Sequence, residues 1–97
     1  MVKTSTEILS LLQSNKDKLK EKYPISEIGI FGSYARGDQN AESDVDVIVD
    51  FNDKIGLEFI KLAHDLEDLL GTKIDLVHKK AIKPKYWPYI QKNLIYV

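Results

Sequence analysis

The sequence contains no cysteine, which excludes disulfide bonds and thiolate metal centres. No apolar run approaches the ~20 residues needed to cross a bilayer as a helix. The opening Met1-Val2-Lys3-Thr4-Ser5 lacks the apolar core of a signal peptide, so a cytoplasmic address is expected. An excess of charge of either sign is also missing. Fourteen basic residues face 15 acidic ones, for a net charge of −1, whereas a chain that grips a nucleic-acid backbone usually carries a basic excess. The lysines at 16, 18, 20 and 22 alternate with Asp17 and Glu21 and read as the solvated face of a helix. There is no repeat, linker or low-complexity stretch.

What is present suits one small domain spanning residues 1–97, with 43% hydrophobic and 30% charged residues. Thr4 or Ser5 can cap a first helix, in which Ile8, Leu11, Leu12 and Leu19 recur on one side up to about Tyr23, before Pro24. Ile25 to Phe31 reads as a strand, Ser33 to Gly37 as one helical turn, and Asp38 to Glu42 as polar loop. Asp44 to Phe51 is a second strand, with Val45, Val47, Val49 and Phe51 on one side and Asp44, Asp46, Ile48 and Asp50 on the other. Ile55, Phe59, Leu62, Leu66 and Leu69 mark a core-facing helix ended by Gly71, and Lys73 to Val77 a short third strand. Pro88 allows a last helix only if it begins nearby. The order α-β-β-α-β-(α) predicts an α/β (α+β) fold, a small mixed sheet flanked by helices, and the helix before the third strand is long enough for a parallel crossover.

The chemistry gathers between Gly32 and Asp46. Asp44 and Asp46, two apart on a strand, share a face with Cα atoms roughly 6.6 Å apart. Carboxylates that close repel one another and favour a cation between them, for which Mg²⁺ is the usual hard partner. A solvent-facing side of an edge strand is the competing reading, although Ile48 on that face argues for partial cover. Asp75, set between Ile74 and Leu76, can join the pair if its strand lies alongside. Three carboxylates from two strands suit a two-metal site for in-line phosphoryl or nucleotidyl displacement. Gly32 and Ser33 follow a strand and can offer backbone N–H groups and a hydroxyl to phosphate oxygens. Arg36 can grip a phosphate or pair with Asp38. No G-x-x-x-x-G-K-[ST] loop occurs.

Gly32-Ser33-Tyr34-Ala35-Arg36-Gly37, then Ser43-Asp44-Val45-Asp46, with Asp75 on a later strand, resembles the nucleotidyltransferase superfamily that includes DNA polymerase beta. The fuller string, Gly32 to Gly37 with Ser43 to Asp46, is similar to that of the superfamily's shortest branch, the minimal nucleotidyltransferases. The resemblance implies that Asp44 and Asp46 bind two Mg²⁺ ions and that Asp75 binds the one nearer the nucleophile and can assist its deprotonation. It further implies that Gly32 and Ser33, with Arg36 and Ser43, form the nucleotide-binding set for a nucleoside triphosphate such as ATP. A hydroxyl then attacks the α-phosphorus and pyrophosphate leaves. Members of this branch are typically paired with a small all-helical HEPN protein as toxin and antitoxin, and in some pairs AMP is transferred to a tyrosine of the partner.

The resemblance thus implies a HEPN-type partner, in a homodimer or hetero-oligomer, while the lack of a long apolar run speaks against a membrane and the balanced charge against a nucleic-acid ligand. Other readings stay open: a vestigial site in a protein that neutralises its partner by binding alone, or transfer to a small molecule or RNA end. Tyr86, Trp87, Tyr89 and Tyr96 read as core or core lid rather than as a contact surface. His64 reads as a helix flank, and His78 as exposed loop beyond the third strand.

Overall fold

The computed structural model describes residues 3–97. Helix α1 covers Ser5–Lys22, strand β1 Ile25–Phe31, helix α2 Gly32–Arg36, strand β2 Val45–Phe51 and helix α3 Glu58–Leu70. Strand β3 covers Ile74–His78, followed by a 3₁₀ turn at Lys79–Ala81, helix α4 at Trp87–Gln91 and strand β4 at Ile95–Tyr96. The four strands form one mixed sheet in the order β3-β2-β1-β4. β1 runs antiparallel to both β2 and β4, and β2 runs parallel to β3 through the α3 crossover. This is the α/β architecture expected, with β4 as an addition.

Local chemistry accounts for the element ends. Thr4, not Ser5, caps α1: its side chain accepts from the Glu7 N–H, and Glu7 Oε1 accepts from the Thr4 N–H at 3.1 Å. Gly71 ends α3 in the left-handed region, its N–H returning to the Glu67 carbonyl. The first turn expected from Ile55 is not helical. Ile55 instead packs as a partly buried residue, and α3 begins at Glu58.

The two faces of the sheet do different work. Ile28 and Ile30 of β1, and Val45, Val47, Val49 and Phe51 of β2, share the core with Ile8, Leu12 and Leu19 of α1 and Leu62, Leu66 and Leu70 of α3. Alternation sends Glu27, Gly29 and Phe31 of β1 and Asp46, Ile48 and Asp50 of β2 to the opposite face. Tyr23, at the C-cap of α1, is buried and donates to Asp65 Oδ2 at 2.5 Å, while Lys22 pairs with the same oxygen at 2.8 Å. Burial and that carboxylate push the Tyr23 phenol up to about 12, so it stays a neutral donor tying α1 to α3.

The segment after β3 lies along the second face. Lys79 Nζ sits 3.4 Å from Glu27 Oε2 and 5.4 and 5.5 Å from the ring centroids of Trp87 and Tyr96. Tyr86, Tyr89 and Tyr96 are nevertheless exposed, which corrects the expectation that these aromatics belong to the core. The buried tyrosines are Tyr23 and Tyr34. The small α1–α3 layer is already filled by aliphatic side chains, so the late aromatics find no interior to enter.

β4 can reach β1 only because residue 29 is glycine. A Cβ there would stand 2.5 Å from the Ile95 carbonyl oxygen and 3.0 Å from Tyr96 Cα, both backbone atoms that cannot swing aside. Gly29→Ala is expected to expel β4 and to cost about 1–3 kcal/mol as overpacking. The check is hydrogen exchange at the Val97 amide, which bonds the Ile28 carbonyl at 3.0 Å: its protection is lost while that of the β1–β2 ladder persists.

Candidate active site

Phe31 pairs with Asp46 across β1 and β2, and Asp46 pairs with Asp75 across β2 and β3. The chain turns into α2 immediately after Phe31, so the Gly32-Ser33 turn, Asp46 and Asp75 lie together at one end of the sheet. Neighbouring strands are about 4.8 Å apart, which makes the two carboxylates direct neighbours. Asp44 precedes β2 by one residue, because Val45 is the first residue of the strand and its N–H bonds the Lys73 carbonyl at 3.1 Å.

Gly32 is the tightest point. Its φ is +71°, and a side chain there would drive its Cβ into Asp46 Oδ2 and to 3.0 Å from Asp46 Cγ. Only glycine tolerates both the left-handed backbone and that approach. Tyr34, two residues on, is 3% exposed and anchors α2 in the core. Its carbonyl accepts a hydrogen bond from Ser5 Oγ at the start of α1. Gln39 Nε2 donates to the Lys3 carbonyl at 3.2 Å. The turn is therefore held from below by the α1 N-terminus, a support that sequence reasoning missed. A buried tyrosine inside the glycine-serine motif was the one available signal.

The three acids differ in their surroundings. Asp44 and Asp75 are exposed, whereas Asp46 is partly buried. Burial, then the charges of Asp75 and Asp44, push its carboxyl up from 3.8 to about 6, against a lowering by Arg36. Oxygen donors alone, one of them desolvated beside two like charges, fit a hard divalent cation such as Mg²⁺. As they stand, no three His, Cys, Asp or Glu side chains among the described residues are gathered closely enough to hold a metal ion. Uncompensated like charges spread apart, and Asp44 lies outside the strand that would fix its direction.

The remaining candidates are engaged within the domain. Arg36 Nε donates to Asp38 Oδ2 at 3.2 Å, with both side chains exposed, so the ion-pair alternative is the one seen. Ser43 Oγ accepts from the Asn40 N–H at 2.9 Å and closes the loop before Asp44. It lines a polar cavity of about 170 Å³ with Lys3, Asn40 and Thr72, to which none of the three acids contributes. His78 is not exposed loop, as its position after an apolar run suggests. It ends β3, with its ring 5.0 Å from Phe51 and Nε2 3.5 Å from Asp50, three residues along the strand from Asp75. His64 is an exposed helix flank 3.7 Å from Glu67 Oε1.

A sheet that sets adjacent strand acids beside a glycine-serine turn defines a nucleotidyltransferase, and comparison with known proteins agrees. The family model of the nucleotidyltransferase domain matches residues 12–97, and the chain belongs to that family. Its relatives place it among the minimal, MntA-type members. A Methanocaldococcus jannaschii protein provisionally named a protein adenylyltransferase is 48% identical over 101 residues, 99% of this chain and 100% of its own. The protein adenylyltransferase MntA of Thermococcus cleftensis is 42% identical over 95 residues, 97% of this chain and 96% of its own. A solved structure provisionally named a minimal nucleotidyltransferase superposes with a TM-score of 0.72 at 26% identity, covering 90% of this chain and 93% of its own. A toxin–antitoxin structure with AMP-PNP gives 0.68 at 25% identity, covering 95% and 70%.

Two outcomes are expected for the site residues. The native state holds a proton on Asp46 that the unfolded chain releases near pH 4, so the stability this provides is lost as pH rises toward 6. Asp46→Asn is therefore expected to be more stable than the parent at pH 7, by about 1–2 kcal/mol after allowing for solvent screening. Urea titrations in chelator between pH 4 and 7 measure this, with the two proteins diverging as pH rises. Gly32→Ala is expected to cost about 1–3 kcal/mol through backbone strain and the collision with Asp46, read by thermal unfolding.

Proposed function

We propose that this protein acts in the cytoplasm as one minimal nucleotidyltransferase domain that moves AMP from ATP to a hydroxyl, a tyrosine of a small helical HEPN-type partner, and so serves as an antitoxin. The observation that carries the reading is the half-buried Asp46 held beside Asp75 and against the Gly32 turn. Its relatives named as protein adenylyltransferases and the fold shared with a toxin–antitoxin complex support the acceptor class.

In this reading Asp44, Asp46 and Asp75 would hold two Mg²⁺ ions. Bound there, the ions supply neutralisation of triphosphate charge and orientation for in-line displacement. The Gly32 and Ser33 N–H groups and the Ser33 hydroxyl hold phosphate oxygens, a close approach that the missing Cβ permits. Arg36 and Ser43 join the nucleotide side by giving up their contacts with Asp38 and Asn40. Asp75, exposed at the sheet edge, takes the proton from the attacking hydroxyl. The Oη–Pα bond forms as the Pα–O bond to pyrophosphate breaks. The open position of Asp44 and Asp75 leaves one wall of the site to be completed by the acceptor protein.

The test is incubation with Mg²⁺, α-labelled ATP and the protein encoded beside this one. Label on that partner is expected, reduced about 10³-fold in Asp44→Ala, Asp46→Ala and Asp75→Ala, as loss of several kcal/mol of charge stabilisation implies. Neutralisation of the partner that survives Asp44→Ala and Asp46→Ala without label would identify a binding module instead.

A further inference from the structure

The five tyrosines of the chain stand in very different surroundings. Tyr23 is buried, donates to Asp65 and resists ionisation. Tyr34 is 3% exposed inside the core. Tyr96 lies in β4 with Lys79 Nζ 5.5 Å from its ring centroid. Tyr86 is covered by Lys85, whose Nζ is 5.1 Å from the ring centroid. Tyr89 is 79% exposed on α4, and its hydroxyl has no hydrogen-bond partner among the described residues. Of the described tyrosines it is the most exposed, ahead of Tyr86 at 52% and Tyr96 at 43%.

Its charge environment points to what that molecule is. After Asp75 the chain carries five lysines and no acid. Lys79 and Lys80 lie near Glu27 and Asp50, at 3.4 and 3.5 Å, while no ion pair forms to Lys83, Lys85 or Lys92 among the described residues. These three flank Tyr89 in sequence. The candidate site is the opposite surface in charge: Asp44 and Asp75 are exposed, Asp46 sits between them, and Asp38 and Glu42 stand on the adjoining loop. A basic, tyrosine-bearing segment and an acidic site that consumes a tyrosine hydroxyl thus occur on one chain. Opposite potentials of this kind steer encounter between copies.

We propose that Tyr89 is a self-acceptor: the site of one copy adenylylates Tyr89 of a second. The inference rests on the nucleotidyl-transfer reading above. Tyr89 Oη attacks the α-phosphorus of ATP held by the other copy, and the Oη–Pα bond forms. The Pα–O bond to the β-phosphate breaks, pyrophosphate departs with the electron pair, and the phenolic proton passes to Asp75 of the catalysing copy. The product is a phosphodiester on α4, its negative charge added to the segment that carries Lys83, Lys85 and Lys92.

The experiment uses the purified full chain with Mg²⁺ and α-labelled ATP, read by gel and by mass spectrometry of the Tyr89 peptide. Label is expected on Tyr89, absent in Tyr89→Phe and absent in Asp46→Asn. A mixture of Tyr89→Phe, which keeps the site, with Asp46→Asn, which keeps the acceptor, is expected to regain label on the Asp46→Asn chain. Charge reversal at Lys83, Lys85 and Lys92 is expected to slow self-labelling at least tenfold while leaving partner labelling within about twofold. Label confined to other residues, or self-labelling that the mixture does not restore, overturns transfer between copies to Tyr89. If Tyr89→Phe and the parent both label the protein partner but neither labels itself, the self-acceptor inference fails and the activity stands. If nothing is labelled, including the partner, the activity reading fails.

Discussion

The close approach of Asp46 to Gly32 is the constraint on which the site depends. A left-handed glycine with a carboxylate against its missing side chain joins the end of β1, the start of α2 and the start of β2 in one contact. The same contact removes part of the Asp46 carboxyl from water beside two other acids and raises it to about 6. A domain built only for stability would place an apolar side chain here. Electrostatic strain of this kind persists when the surrounding fold holds it in place. That hold comes from the buried Tyr34, the Ser5 hydrogen bond to its carbonyl and the antiparallel register of β1 with β2.

The division of labour between the two sheet faces follows from strand alternation. One face carries Val45, Val47, Val49 and Phe51 into a core closed by α1 and α3. The other carries Asp46 and Asp50, with Ile48 buried between them. The basic segment from Lys79 onward runs along this second face, where Lys79 meets Glu27 and two aromatic rings. In so short a chain the sheet is both the platform for the core and the floor of the site, so the two functions are separated by only one residue along β2.

Much of this was legible locally. The apolar spacing of α1 and α3, the alternation in β2 and the glycine-serine turn each express a local rule, and each is found within a few residues of its expected position. The errors have a common origin. The preference of aromatics for burial places Tyr86, Tyr89 and Tyr96 in the core or its lid, but the α1–α3 layer is already full and all three are exposed. His78 was expected in a loop because lysines follow it, yet β3 continues one residue further and its ring meets Phe51. β4 is only two residues long and has no pattern of its own. It exists because Gly29, 66 residues earlier than Ile95 in a neighbouring strand, leaves room for it.

The sequence by itself determined which residues could carry the chemistry: two aspartates two positions apart, a third in a separate apolar run, and a turn without a Cβ. Period-two alternation needs no partner to be read, so the split of β2 into a face with Val45, Val47 and Val49 and a face with Asp46 and Asp50 followed from the order of residues alone. Tertiary structure decided how unequal those acids are. Asp46 is partly buried while Asp44 and Asp75 stay exposed, because β2 begins at Val45 and lies inside the sheet with β3 at its edge. Desolvation and charge proximity depend on which strands are neighbours and in what register, and those are properties of pairing across the chain rather than along it.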